Sequence, residues 1–264
     1  MYSQQSAPRS IGGVLDGAIS LYRQCLPRSW PLAFVPELAL SLLDAGSESQ
    51  MRDAASAGLQ AVFAVLRSPK FLLSTAAGML LYLIFNYALI AHMNGIATGR
   101  PVSLRDSCSI GLRLLPRAFA ATWLVALITA LGCVLLVAPG IYWAGTLMLT
   151  FTALVVDRAG VFASMNISRR LIKGDWWRTM TIYSVVIIIA IVVYIFMGLV
   201  IGLSAFLLGS GTPLAVGVER LTTLIVGTLM MMWYPPALLA IYYDLKSRRA
   251  GADLAQRESA LPAG

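Results

Sequence analysis

Long uncharged apolar runs alternate with short basic segments along nearly the whole chain, and one complete unit of this plan lies between Val137 and Arg178. Ala138, Pro139 and Gly140 predict a turn, the uncharged run Ile141 to Val156 follows, and Asp157 and Arg158 close it. Gly160 to Lys173 then predicts a helix with one basic face, and Trp176, Trp177 and Arg178 lead into the next apolar run at Thr179. Apolar spans, interfacial aromatics and basic ends are the pattern of a membrane protein. Read in the same way, Phe71 to Ala91, Ala118 to Val137, Thr179 to Leu208 and Leu221 to Tyr243 are four further spans. The last is expected to kink at Pro235 and Pro236. Thr179 to Leu208 exceeds the length a span requires and is expected to tilt or end early. A remaining run, Trp30 to Leu43, would reach only about 21 Å against a hydrocarbon core of about 30 Å. It also holds Pro31, Pro36 and Glu37, so as a first span it either starts nearer Leu26, moving Glu37 towards the outer surface, or breaks at the prolines.

Three segments carry helical amphipathic periodicity. In Ile11 to Leu26 the positions Ile11, Val14, Leu15, Ala18, Leu21, Tyr22 and Cys25 share a face opposite Asp16, Ser20, Arg23 and Gln24. This segment is too short to span and is expected in the head-group plane. Ser103 with Asp106 three residues on predicts a helix start, after which Leu104, Cys108, Leu112 and Leu115 oppose Arg105, Ser109 and Arg113. In Gly160 to Lys173, Met165, Leu171 and Ile172 oppose Asn166, Arg169, Arg170 and Lys173. The predicted fold is therefore an all-α polytopic membrane protein of six transmembrane helices, with amphipathic helices preceding spans 1, 3 and 5. Its domain plan is a disordered segment 1–10, one membrane domain 11–245 and a flexible tail 246–264.

Composition agrees: 58% hydrophobic and 12% charged residues, with a mean hydropathy of +0.77, leave too little polar surface for a soluble domain of this length. The net charge of +8 is better explained by loops facing anionic lipid than by nucleic acid. Sixteen of the 20 Lys and Arg fall before span 1, between spans 2 and 3, between spans 4 and 5, or after span 6. The positive-inside rule then places both termini in the cytoplasm. Cys25, Cys108 and Cys133 form no close pair and read as small apolar residues. The N-terminus lacks the apolar core of a cleaved signal, and none is expected.

An amphipathic helix ending in a basic residue and then Pro or Gly recurs as Arg23 with Pro27, Arg113 with Pro116, and Arg170 with Gly174. Both triplication and convergence on membrane chemistry account for it. The chain resembles the membrane domain of bacterial glycerophosphoryl diester phosphodiesterases and its stand-alone YciC-like relatives. That resemblance rests on Leu15-Asp16, Leu21-Tyr22-Arg23, the segment Ala138 to Tyr142, the segment Ser168 to Gly174 before Trp177-Arg178, and the closing Tyr242-Tyr243-Asp244-Leu245-Lys246. It implies a multi-pass protein of the bacterial inner membrane. The phosphodiesterase activity resides in a separate soluble barrel that these 264 residues do not contain, so no catalytic residue is carried over.

Candidate chemistry is sparse. His92 is the only histidine and reads as a polar end-cap of span 2. Gly95 to Gly99 lacks the glycines of a phosphate loop, and Met230 to Met232 read as core. No catalytic constellation, cofactor or metal is expected. Arg23, Arg113, Arg169, Arg170 and Lys173 are the candidate contacts to anionic lipid head groups, since guanidinium geometry suits phosphate oxygens. Trp176 and Trp177 are candidate interfacial anchors, and Glu37 and Asn86 are candidate intramembrane polar residues. The expected function is non-enzymatic: a basic amphipathic collar contacts lipid and organises lipids or a partner in envelope maintenance. A transporter of a lipid or small molecule is the alternative.

Overall fold

A computed structural model describes residues 9–44 and 47–260. Residues 1–8 of the predicted disordered segment and 261–264 of the predicted tail lie outside the described residues. Ten helices follow in order: α1 (Ile11–Asp44), α2 (Ser47–Ala57), α3 (Leu59–Leu66), α4 (Pro69–Ala97), α5 (Leu104–Leu135), α6 (Val137–Leu147), α7 (Thr150–Val156), α8 (Val161–Ile172), α9 (Trp176–Leu208) and α10 (Pro213–Ala260). Among the described residues there is no strand. Five helical stretches are long and apolar enough to cross a membrane: α4, α5, the combined Val137–Val156, α9, and Pro213–Gly251 of α10. Their outward faces are apolar: Phe206 of α9 is 83% exposed and Val134 of α5 84%. Residues of this kind on so much surface require lipid around them.

α1 is not among the five, because Arg23, Arg28, Glu37 and three prolines dilute its apolar character. It is nevertheless one unbroken helix through Pro27, Pro31 and Pro36. The segment Ile11 to Leu26 is thus the first half of α1 rather than a separate helix in the head-group plane. Long-range packing accounts for this: Val14 and Ala18 join the cluster of Ala237, Ile241 and Leu245, the Tyr22 ring meets Trp233 edge-on at 5.5 Å, and Glu37 packs on Gly227. Such neighbours hold a helix together across prolines that would break it in isolation.

The predicted helix before span 3 is likewise continuous with that span, since α5 runs through Pro116. Ser103 caps it, accepting a hydrogen bond from the Asp106 amide at 3.1 Å. Only α8 stands apart, ended by Gly174 at φ 94°. α10 continues past Lys246 to Ala260, where the sequence pattern predicts a flexible tail.

The turn predicted at Ala138 to Gly140 falls earlier, on the extended residue Leu136 (φ −164°), and Pro139 sits in the first turn of α6. Proline is tolerated there because that amide has no intrahelical acceptor. Gly140 is needed because α6 lies directly on the last turn of α5: a Cβ at Gly140 would come 2.7 Å from the Cys133 amide nitrogen. Gly198 and Gly202, spaced for helix packing in the sequence, face open space instead. The close helix approaches are at Gly78, Gly111, Gly132, Gly140, Gly145 and Gly227.

Candidate functional site: the basic end of the bundle

Tyr242 to Lys246, on the last stretch of α10 that packs in the bundle, joins segments remote in sequence. The Tyr242 hydroxyl donates to Asp157, and the Lys246 ammonium donates to the other Asp157 carboxylate oxygen at 2.9 Å. Tyr243 donates to the side-chain oxygen of Asn94 on α4. Asp244, buried at 7% exposure, accepts from the Arg9 amide at 2.9 Å, from Arg178 at 2.7 Å and from Arg248 at 3.0 Å. The Arg178 and Arg248 guanidinium groups also donate to the Arg9 carbonyl. A buried carboxylate is stable only with such a complement of charged and hydrogen-bonding partners. This clasp fixes the start of α1, the start of α9 and the end of α7 around α10.

Beside the clasp, α6, α8 and the start of α9 enclose an open groove of about 820 Å³. Its basic wall is Arg169, Arg170 and Lys173, and its aromatic wall is Tyr142, Trp143 and Trp176. α8 turns Asn166, Arg169, Arg170 and Lys173 to the groove because Ser164, Met165, Ser168 and Leu171 are buried on its opposite side. Its register is set by the Ser168 hydroxyl, which donates to the Thr146 carbonyl at 2.7 Å, one of the acceptors freed in the last turn of α6. Arg169 lies 5.1 Å from the Trp143 ring centroid, a cation–π contact that orients the guanidinium. The Trp176 indole stacks on Tyr142 at 5.6 Å and 26° and donates to the Tyr142 carbonyl at 3.4 Å. α6 reaches α9 this closely because Gly145 has no side chain, a Cβ there coming 2.6 Å from the Met180 sulfur. None of Arg169, Arg170 and Lys173 has an acidic partner among the described residues. The groove therefore presents three uncompensated cations beside flat aromatic faces, a setting that binds a phosphate or carboxylate with an apolar attachment.

Three of the five predicted lipid-contact residues, Arg169, Arg170 and Lys173, are thus brought together. Arg113 lies apart, in a second pocket with Arg100, Arg117 and Arg158. Arg23 lies in a shallow exposed patch with Asp16, Ser20 and Gln24. Of the two tryptophans, Trp176 belongs to the groove wall and Trp177 is 80% exposed. Tyr142 and Trp143 are groove residues that the hydropathy pattern does not single out, because they lie inside the uncharged run Ile141 to Val156. The break between α6 and α7 at Met148 and Leu149 lets one stretch reach Trp176 through Tyr142 and α10 through Asp157.

Glu37 and Asn86 are not brought together by any contact among the described residues: the Asn86 amide donates to the Tyr82 hydroxyl at 3.4 Å, and the Glu37 carboxylate packs against Gly227. They lie at different distances from the clasp. Gly227, against which Glu37 packs, precedes Asp244 on α10 by about 26 Å of helix. Asn86 precedes Asn94, the Tyr243 partner, by about 12 Å. His92 is buried at 6% exposure, its Nδ1 3.3 Å from the Ser107 hydroxyl of α5.

The class these features define is an all-helical, multi-pass membrane protein with a polar clasp at one end of its bundle. No family model matches the chain, and no solved structure matches it.

Proposed function

We propose that this is a non-enzymatic protein of the bacterial inner membrane that holds an anionic lipid head group in the groove of Arg169, Arg170 and Lys173, organising lipid or a partner at that surface. The observation that carries the reading is the meeting of three unpaired cations with Tyr142, Trp143 and Trp176 in one groove. Lipid fits better than a soluble anion because the aromatic wall continues into exposed apolar surface, with Ile141 56% exposed beside Tyr142. The resemblance to the phosphodiesterase membrane domain belongs to this proposal, supported by its motif residues Tyr242 to Lys246 forming the clasp. A transporter is the second reading, favoured by the polar residues Glu37 and Asn86 within otherwise apolar helical runs, Asn86 being hydrogen-bonded to Tyr82.

The experiment is a lipid titration of the full chain. Each basic residue near a membrane surface contributes about 1 kcal/mol toward anionic lipid, so changing Arg169, Arg170 and Lys173 together to Gln is expected to weaken phosphatidylglycerol binding roughly a hundredfold. Phosphatidylcholine binding should stay unchanged. An unaltered preference for phosphatidylglycerol in the triple variant would overturn the reading.

The topology proposed is six spans with both termini in the cytoplasm, α1 serving as the first span and α8 as an amphipathic helix at the inner surface. Reporter fusions are expected to give cytoplasmic signal at Val102, Gly174 and the tail, and periplasmic signal near Ser49 and Thr212. Periplasmic signal at the tail would overturn it.

A further inference from the structure

The groove leaves unexplained a second concentration of positive charge. Arg100 from the loop after α4, Arg113 and Arg117 from α5, and Arg158 from the loop after α7 line one pocket of about 740 Å³. No acidic residue lines it, and none of the four guanidinium groups has a hydrogen-bond acceptor or acidic partner among the described residues. The nearby Asp157 is already engaged by Tyr242 and Lys246. Tyr243 donates to the side-chain oxygen of Asn94, and the Asn94 amide nitrogen adds donors to the pocket. Arg158 adds an independent sign. It is the one non-glycine residue with positive φ among the described residues, at 51°, a backbone state that side chains adopt at a cost. Gly160 follows two positions later, so a flexible loop without this strain was available. Strained residues of this kind collect at ligand sites, where the surrounding structure holds them.

We propose that this pocket binds a ligand carrying two phosphates. Four like charges in one concavity repel one another, and a bound anion of comparable charge relieves that repulsion more fully than mobile counterions do. A single phosphodiester supplies one negative charge, whereas two linked phosphates supply two or more and can engage several guanidinium forks at once. Ile110 and Leu114 of α5 with Val155 and Val156 of α7 form an apolar wall to the same pocket, which suits a ligand whose phosphates are borne on a lipid. The site lies on α4, α5 and α7 and shares no lining residue with the groove of α6, α8 and α9, so it stands independently of the groove's function.

The test uses the full chain in a neutral detergent, titrated with cardiolipin (two phosphates on one lipid), phosphatidylglycerol (one phosphate) and pyrophosphate (two phosphates, no lipid), with bound ligand read by native mass spectrometry. Cardiolipin or pyrophosphate is expected to bind at least tenfold more tightly than phosphatidylglycerol. Arg158→Gly removes the guanidinium while supplying the residue that φ 51° favours. This variant is expected to keep or raise the unfolding temperature and yet weaken the two-phosphate ligand tenfold or more. Arg113→Gln should weaken it likewise, and the Arg158→Gly loss should persist undiminished in the Arg169, Arg170 and Lys173 triple Gln background, from which lipid held in the groove is removed. Pyrophosphate binding that displaces cardiolipin would assign the site to a soluble ligand, and cardiolipin binding without pyrophosphate binding would assign it to lipid. The proposal is overturned if two-phosphate ligands bind no better than phosphatidylglycerol, if Arg158→Gly binds them normally, or if only the triple variant loses them.

Discussion

Replacing Asp244 with Ala is expected to destabilise the folded protein by about 3–5 kcal/mol, the penalty for removing one partner of a buried charge pair. The carboxylate side chain is 4% exposed, and its two cationic partners, Arg178 and Arg248, are 18% and 28% exposed. Deleting it leaves two positive charges facing each other with only the Arg9 carbonyl between them, and it frees the Arg9 amide. Asp244→Asn preserves shape and an acceptor for Arg9 but not the charge, and should fall between wild type and Asp244→Ala. The double variant Arg178→Gln with Asp244→Asn should be less destabilised than the sum of the single changes, because each single change strands a charge that the other neutralises. Chemical or thermal unfolding in mixed micelles measures all of these. Additivity in the double variant, or a loss below about 1 kcal/mol for Asp244→Ala as for an exposed pair, would remove the clasp from the account of stability.

The second large effect is expected at Gly111, where α5 crosses α4. A Cβ there would press into the Ile84 carbonyl oxygen and lie 3.1 Å from the Ala88 amide nitrogen and 3.2 Å from the Ala88 Cβ. The obstructing atoms belong mainly to helix backbone, which cannot rotate aside, so the two helices must separate. Gly111→Ala is expected to cost about 3 kcal/mol, at the upper end of overpacking, and to loosen the contact of His92 with Ser107 four residues away. Gly198→Ala and Gly202→Ala are the internal controls. Nothing lies within 4 Å of either position, so helix propensity alone should make them neutral or stabilising by up to about 1 kcal/mol each. A Gly111→Ala protein as stable as these controls would contradict the close α4 to α5 approach.

The same comparison shows how unevenly the fold can be read from sequence. Runs such as Phe71 to Ala91 and Thr179 to Leu208 announce α4 and α9 because a membrane selects apolar side chains at every lipid-facing position, and that selection is written locally. The face of α8 is equally legible, since Met165, Leu171 and Ile172 against Arg169, Arg170 and Lys173 follow the helical period. Ser103 as a cap is a matter of three residues. Other features escape a local reading. Pro27, Pro31 and Pro36 argue for breaks in α1, and it is Trp233, Ala237 and Gly227 on α10 that keep the helix whole. The glycine spacing of Gly198 and Gly202 has the same form whether a partner helix is present or not.

By itself the sequence determined that this is a helical membrane protein, where its apolar runs lie and which segments are basic, because hydropathy, helical period and charge are properties of neighbouring residues. Only the tertiary structure decided that Tyr142 and Trp143 join Arg169 and Trp176, that Asp244 holds Arg9 from 235 positions away, and that Arg100, Arg113, Arg117 and Arg158 share one pocket. Those meetings depend on how the helices cross and bend, at Leu136, at Met148 and at the glycines that let backbones touch. The contacts that settle such crossings join residues far apart in the chain, so no local pattern records them.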